Sequence, residues 1–575
     1  MQATQNNARA PRARWSAARA ANIVHRAVGL WFLVLLTLVM GTGTLAVYAP
    51  ELDRLVFPVL RASPPGPQAA RVNPGLLYDN LLRAYPGMGV AHIETAPHEP
   101  HAAATTHVLL PGGAKRAVAL DPYTGAVLGE IPALTVRHVL SRAHAVLFQG
   151  LIGFYVVNFS GVLLLAAVVS GLFAYRRFWR SFFTPPRLGR GARILLGDLH
   201  RLVALWCLPF LLVIALTGTW YFYNFPLAQF DLVPDVVASQ AAPPRLSEAD
   251  LDALGPQTPR RASGESVVDA VRAAYPDMTI LGLVPPLNAN MPFVVYGDRG
   301  EYLKGRNPNA VYVHPFTARI MGADLAEDAP LARYAFEAMS QLHHGELLPR
   351  SWGPLAAAVM KFLWFLFGVG ACFLTVSGLL IHLRRARPAR AGLGRRVWNW
   401  VKPWGGPMGV FKYVNVLVVV ALAAGLVRVA SGGPGPVRAA SPGVELAARS
   451  AGGFDIVPVI MAPPRAGGAD GPGPLRPGAR VMVFPRIADG RFDEARAVVV
   501  GVTGAAGSSA RGVQAKGAAN TAFAPLALPG DLAGAELWVE VRTWDGGAHR
   551  ARWPLGAPGA AGPPQATTST ARSEQ

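Results

Sequence analysis

The chain has 575 residues, of which 51% are hydrophobic and only 15% charged, and a formal net charge of +20. That charge fraction is far below the roughly 25% of soluble domains, and several apolar runs reach the ~20 residues that cross a hydrocarbon core, so the composition reads as an α-helical polytopic membrane protein. The basic excess sits in short segments beside the apolar runs, which excludes nucleic-acid binding as its explanation in favour of membrane topology. Cys207 and Cys372 lie inside apolar runs and offer no disulfide framework, and no GxGxxG or GxxxxGKS phosphate loop occurs, so flavin or nicotinamide chemistry belongs elsewhere.

In chain order, residues 1–22 form a basic cytoplasmic N-terminus with Arg9, Arg12, Arg14 and Arg19. The run 23–48 predicts a first membrane helix; it is too long for a signal peptide and no clear small-x-small cleavage site follows it. Residues 49–140 predict a first outer domain. There Leu76 to Tyr85 has helical spacing and stops at Pro86. Strand-like runs follow at Thr106–Leu110, Arg116–Leu120 and Ala126–Leu128, around the turn Asp121-Pro122-Tyr123-Thr124-Gly125. A second span at 146–175 leads into the arginine-rich loop 176–198, cytoplasmic by the positive-inside rule.

A third span (199–223), a second outer domain (224–340) and a fourth span (356–383) follow. The basic loop 384–407 and a fifth span (408–429) come next. Residues 430–480 are rich in Gly, Pro and Ala and read as a linker. Val481–Phe484, Ala497–Val500 and Leu537–Val541 are strand-like, and Trp544-Asp545-Gly546-Gly547 suits a hairpin turn. Residues 481–554 therefore predict a β-sandwich, and 555–575 a disordered tail.

The chain repeats itself. His25-Arg26, Trp31 and Thr42-Gly43-Thr44 recur at the same offsets as His200-Arg201, Trp206 and Thr217-Gly218-Thr219. Ala84-Tyr85-Pro86 recurs as Ala274-Tyr275-Pro276, and Asp121-Pro122-Tyr123-Thr124 as His314-Pro315-Phe316-Thr317. Ser141–His144 matches Ser340–His343, and Val169-Ser170-Gly171-Leu172 matches Val376-Ser377-Gly378-Leu379. The unit is helix, small α+β outer domain, helix, and it occurs twice in parallel orientation. Such repeats imply a pseudo-two-fold axis along the membrane normal.

Histidine at membrane depth is costly and is read as functional by default. A lone histidine at a span's edge is an interfacial residue. Here two histidine positions recur in both halves, His25 and His200 on the inner side, His144 and His343 on the outer. The axis would bring the members of each pair together. Imidazole is the usual axial ligand of b-type haem, and bis-histidine ligation suits electron transfer. The companion cysteines or carboxylates of a zinc or iron cluster site are missing. One haem b near each face, two in all, would carry electrons across in steps. His344 and His382 are secondary candidates, and the counterpart of His382 is Tyr175. Gly43, Gly171, Gly218 and Gly378 suit close helix packing. Arg26 and Arg201 suit snorkelling to headgroups, with a haem propionate as the sharper alternative. His314, in a turn, reads as a surface residue. His92, His98, His101 and His107 match no ligand spacing.

Together the HR-x-x-x-LW…TG helices, the Ser-x-x-His entries, the Ser-Gly-Leu exits and the two Ala-Tyr-Pro…Pro-x-Thr inserts resemble the PepSY-associated transmembrane family over residues 15–390. The resemblance implies an inner-membrane protein whose PepSY domains lie in the periplasm, and the fifth span would carry the C-terminus there as well. It also implies a haem-containing reductase of ferric siderophores or other Fe(III) chelates, fed by quinol or a cytoplasmic donor. The family's histidines correspond to His25, His144, His200 and His343. His382 departs from the pattern, as do the fifth span and everything beyond 430. The alternative is a non-enzymatic PepSY protein: a protease inhibitor or sensor, or an assembly subunit of a transporter or oxidase.

Overall fold

The computed structural model describes residues 16–66, 69–86, 88–95, 99–109, 115–175, 180, 182–229, 243–303, 307–348, 352–385, 411–430, 444–461, 475–487, 494–516 and 522–556. The expectations for residues 1–15, His98, most of the loop 384–407, parts of the 430–480 linker and residues 557–575 lie outside them. The chain divides into two compact units, one of helices and one mainly of strands.

The helical unit contains α1 (Ala17–Trp31), α2 (Leu33–Ala46), α3 (Val136–Val146), α4 (Gly150–Ala174), α5 (Ala192–Trp206), α6 (Leu208–Gln229), α7 (Leu331–His344), α8 (Gly353–Arg385) and α9 (Phe411–Ala430). Two of these, α4 and α8, are each long and apolar enough to cross a membrane. Two pairs, α1 with α2 and α5 with α6, meet the same test only when taken together.

The single runs expected at 23–48 and 199–223 are therefore broken. The breaks bend the helices by 69° at Phe32 and 67° at Cys207. Pro209 explains the second break, since proline belongs in the first turn of a helix and not in its interior. The first has no proline or glycine at the bend. The apolar part of α9, Asn415–Val427, is shorter than a full span.

Packing in this unit is paired. α1 lies on α4 and α5 on α8, while α2 lies on α3 and α6 on α7; between the halves α4 meets α6 and α8 meets α2. The inter-half crossings need glycine. A Cβ on Gly161 would come within 2.5 Å of the Gly218 carbonyl carbon, and one on Gly368 within 2.4 Å of Thr44 Oγ1. Leu35, Val39, Leu163, Phe210, Leu211 and Ala371 fill the core between them.

The strand-rich unit differs from the expectation of two separate small domains. Its strands β1 (Gly89–Val90), β2 (Ile93–Glu94), β3 (Ala104–Leu109), β4 (Lys115–Leu120), β5 (Val127–Glu130), β6 (Thr279–Val284), β7 (Phe293–Asp298), β8 (Asn309–Val313) and β9 (Ile320–Asp324) form one nine-stranded sheet. The order is β5-β4-β3-β2-β6-β7-β8-β9, with β1 beside β3. The inserts are joined where β2 pairs antiparallel with β6, Ile93 opposite Leu283 and Glu94 opposite Gly282. Edge strands offer unpaired backbone groups, and here each insert covers the other's edge.

One helix from each insert lies on the same side of this sheet. Asn73 caps Pro74–Ala84 and Ser263 caps Gly264–Ala274, and both helices end just before a Tyr-Pro pair. They cross at Gly75 and Gly264, where a Cβ on Gly75 would stand 1.9 Å from the Gly264 carbonyl oxygen. The Asp79 carboxylate accepts the Gly264 N–H at 2.8 Å, and Asn73 Nδ2 donates to Asp269 at 2.8 Å. Leu77, Leu81, Val267, Val271, Ile93, Leu283, Phe293 and Val311 make the core beneath.

The C-terminal strands are β10 (Val444–Glu445), β11 (Arg449–Ala451), β12 (Phe454–Met461), β13 (Arg480–Ile487), β14 (Ala497–Val502), β15 (Val513–Gln514), β16 (Ala524–Ala527), β17 (Glu536–Arg542) and β18 (Ala548–Pro554). They form two antiparallel sheets, β10-β12-β13-β16 with β11 on β12, and β15-β14-β17-β18. The sheets share a core of Ile456, Val483, Val500, Leu537, Val539 and Trp553, which makes a sandwich. β10 to β12 fall inside the stretch read as linker. Pro458 and Pro485 face each other across β12 and β13, so the ladder between these two strands needs no N–H from either.

Candidate functional site

Two helix motifs build the seats of four histidines. The Ser-Gly motifs near the ends of α4 and α8 hold the pair His25 and His200. His25 Nδ1 lies 2.9 Å from the Ala167 carbonyl on α4, and a Cβ on Gly171 would be 3.3 Å from its ring. His200 Nδ1 lies 2.8 Å from Ser377 Oγ on α8, with Gly378 alongside. The Thr-Gly motifs of α2 and α6 hold the pair His144 and His343. His144 Nδ1 lies 3.0 Å from the Val39 carbonyl, and its ring leaves only 2.7 Å for a Cβ on Gly43. His343 Nδ1 lies 2.9 Å from Thr217 Oγ1.

These bonds fix the tautomers. A carbonyl only accepts, so Nδ1 of His25 and of His144 carries the proton. The Ser377 hydroxyl donates to the Leu374 carbonyl and the Thr217 hydroxyl to the Val213 carbonyl, so each accepts from its histidine. With Nδ1 committed as the donor, Nε2 is the ring nitrogen left to offer a lone pair. That is the arrangement of a metal-ligating histidine whose other nitrogen is tied down.

The structure brings together the residues that the repeat relates. The rings of His25 and His200 have centroids 6.4 Å apart at 85°, and those of His144 and His343 are 6.1 Å apart at 44°. Tyr221 packs edge-on against His343 at 5.4 Å, and Trp364 Nε1 donates to the His343 carbonyl.

The secondary candidates fall outside both pairs. His344 is exposed, its Nδ1 is 2.8 Å from the Ser340 carbonyl, and its ring centroid is 5.6 Å from that of His343. His382 is half-buried on α8. Its counterpart Tyr175 lies under the Arg201 guanidinium at 5.7 Å.

Some residues escaped the sequence reading. Asp198, two positions before His200, is a buried carboxylate that accepts from Arg187 through its backbone N–H, Nε and Nη2, with Arg201 Nη2 at 3.4 Å. Arg201 thus points to Asp198 and Tyr175, not to a headgroup. The signal was there, since the same offset before His25 holds Ile23 and a carboxylate among apolar residues needs a partner. His314 is buried, not a surface residue. Its Nδ1 accepts the N–H groups of Phe316 and Thr317, just as the Asp121 carboxylate accepts that of Tyr123. Burial, with Arg319 adding to it and Asp250 opposing, holds the His314 pKa below its ordinary value. In the outer sheet His92 packs on Tyr296. Among the described residues no group of three or more His, Cys, Asp or Glu side chains is placed to hold a metal ion.

An uncharacterized protein of Pseudomonas aeruginosa is similar to this chain, 27% identical over 272 residues; the match covers 45% of this chain, and the chain spans 65% of that relative's length. The profile of the PepSY-associated TM region family matches residues 23–385, which contain all four seated histidines. The chain belongs to the PepSY-associated TM region family, and is a membrane protein.

Proposed function

We propose that the chain is an inner-membrane electron carrier that holds two haems b and delivers electrons to an Fe(III) chelate, a ferric siderophore being the favoured acceptor, on the outer side. The observation that carries this reading is the pairing of four histidines whose Nδ1 atoms are all committed. Two metal–imidazole bonds of about 2 Å each, plus the ~1 Å from each nitrogen to its ring centre, span about 6 Å. The 6.4 and 6.1 Å separations fit that span. A macrocycle that bears carboxylates also asks for cations, and Arg201 Nε, next to His200 in sequence, is buried with no hydrogen-bond partner among the described residues.

In this reading His25 and His200 would hold the inner group and His144 and His343 the outer one, and such a group supplies one-electron transfer. The protein's part is to hold the imidazoles still. The Ala167 and Val39 carbonyls and the Ser377 and Thr217 hydroxyls fix each ring's orientation, and the neighbouring glycines let it approach. No proton has to move at any of these atoms. The arginine-rich loops 176–198 and 384–407 put the N-terminus in the cytoplasm and the outer sheet in the periplasm. The four candidate spans and α9 then make five crossings, in two parallel repeats plus one. Quinol or a cytoplasmic donor supplies the electrons.

A reduced-minus-oxidised absorption spectrum of the full-length protein tests this. A b-type spectrum is expected, with His200→Ala and His343→Ala each losing about half of it. No b-type absorption would sink the reading and leave the PepSY domains as a binding module. Unchanged absorption in both variants would refute the assignment of ligands.

A further inference from the structure

The helix α9 lies beyond the matched family region, which ends at residue 385. Tyr413, Val416, Leu417, Val419 and Val420 are exposed on it, while Asn415 and Val418 are buried. A buried asparagine on an apolar helix is costly unless its amide is needed. Asn415 meets the break between α1 and α2. Its Oδ1 accepts the Val34 N–H at 2.9 Å, and its Nδ2 donates to the Trp31 carbonyl at 2.6 Å. These are the groups that an interrupted helix frees, and away from water they need a partner. At the same offset from its histidine the second half has Pro209 in place of Val34, and proline has no N–H to satisfy.

The same helix touches a second corner. The Ala421 carbonyl accepts Gln149 Nε2 at 2.9 Å. Gly425 lies against Phe148, and a Cβ there would come within 2.5 Å of Phe148 Cβ. This corner follows α3, which carries His144. In it Leu147 and Phe148 take φ of +48° and +57°, a left-handed backbone that side chains resist. The matching corner after α7 turns at Gly345, with φ +76°, where glycine meets no such resistance. The first half therefore departs from the second at two corners, and α9 covers both.

We propose that α9 is a brace that sets the positions of the two first-half histidines, with Asn415 a positioning residue for His25 and Gly425 one for His144. At the corresponding places the second half has Pro209 and Gly345, the latter packed against Trp364. The consequence for electron transfer rests on the haem reading above; the brace itself does not.

The test uses the full-length protein in lipid nanodiscs, as wild type, Asn415→Leu, Gly425→Leu and the double variant Val34→Pro/Asn415→Leu. Amide hydrogen exchange is followed at residues 31–36 and 146–150, with 206–211 and 344–348 as internal controls. Asn415→Leu is expected to speed exchange at 31–36 by about tenfold, the scale of one lost hydrogen bond. Gly425→Leu should do the same at 146–150, and the control segments should not change. Adding Val34→Pro to Asn415→Leu copies Pro209, removes the orphaned donor and should return the remaining amides of 31–36 to wild-type exchange. A redox titration of the same samples should show one of two haem components shifted in each single variant and restored in the double. Unchanged exchange in both single variants, or equal rises in the control segments, overturns the brace. A wild type that binds no haem removes the redox arm only, and exchange still decides.

Discussion

Three of the histidine rings rest on glycines at graded distances, and that grading predicts an ordered response to one methyl group. An added Cβ would stand 2.7 Å from His144 Cε1 at Gly43, 3.3 Å from His25 at Gly171 and 3.7 Å from His200 at Gly378. Carbon atoms rest at about 3.5–4.0 Å. Gly378→Ala therefore makes an ordinary contact, and the ~1 kcal/mol helix preference of alanine over glycine leaves it neutral or slightly stabilising. Gly171→Ala asks His25 to move a few tenths of an ångström, which about cancels that gain.

Gly43→Ala must drive His144 back by about 1 Å, an overpacking that costs about 1–3 kcal/mol. It also pulls Nδ1 from the Val39 carbonyl, a further ~1 kcal/mol. Net destabilisation of about 1–3 kcal/mol is expected at Gly43 alone. Denaturant unfolding of the full-length protein in one detergent measures the order without reference to any bound group. Gly378→Ala costing as much as Gly43→Ala would refute the seating of the rings.

Two predictions concern the turns of the outer sheet. The buried His314 acts as a neutral acceptor, so its folded pKa lies below that of the unfolded chain. The unfolded state then binds the proton first, and the stability from this group is complete above about pH 6.5 and lost as pH falls below it. His314→Asn keeps an acceptor that does not titrate, so it should flatten thermal stability between pH 7.5 and 5.5; an unchanged slope would remove His314 from the account. At the last turn position Ala318 holds φ +54° where the first insert has Gly125 at +76°. Ala318→Gly should stabilise by about 0.5–1 kcal/mol, and Gly125→Ala should cost more than that, because its Cβ would also strike Asn80 Nδ2 at 2.7 Å; calorimetry that finds Ala318→Gly destabilising contradicts this.

The internal repeat was legible because the motifs recur in the same order, with fixed spacing inside each one, and the structure brings His25 to His200 and His144 to His343. The role of the Thr-Gly and Ser-Gly motifs was only half legible. Small residues announce close approach but do not say that an imidazole is what approaches. The break at Phe32 left no local trace, since the residue that permits it, Asn415, lies nearly 400 positions away. The break at Cys207 had its signal in Pro209, muted by the apolar run around it. Periodicity placed strands in the first insert, and the repeat extended them to the second, but neither carries information about which edges meet, so the joint between β2 and β6 was out of reach. The stretch Phe454–Met461 is strand-like on its own, and the Gly and Pro around it masked it. His314 shows the limit of reading by residue type, since a histidine in a turn looks exposed until its ring nitrogen is seen standing in for an aspartate.

The joint between β2 and β6 also orders events during synthesis. Glu94 finds its partner Gly282 only about 190 residues later, after α4, α5 and α6 have been made. At about 5–20 residues per second that interval is on the order of 10–40 s. Through all of it the first insert carries a bare sheet edge of the kind that recruits foreign strands. β2 is two residues long, and so short an edge offers a stray strand little to hold. The nascent chain is thereby kept single until its own second half arrives.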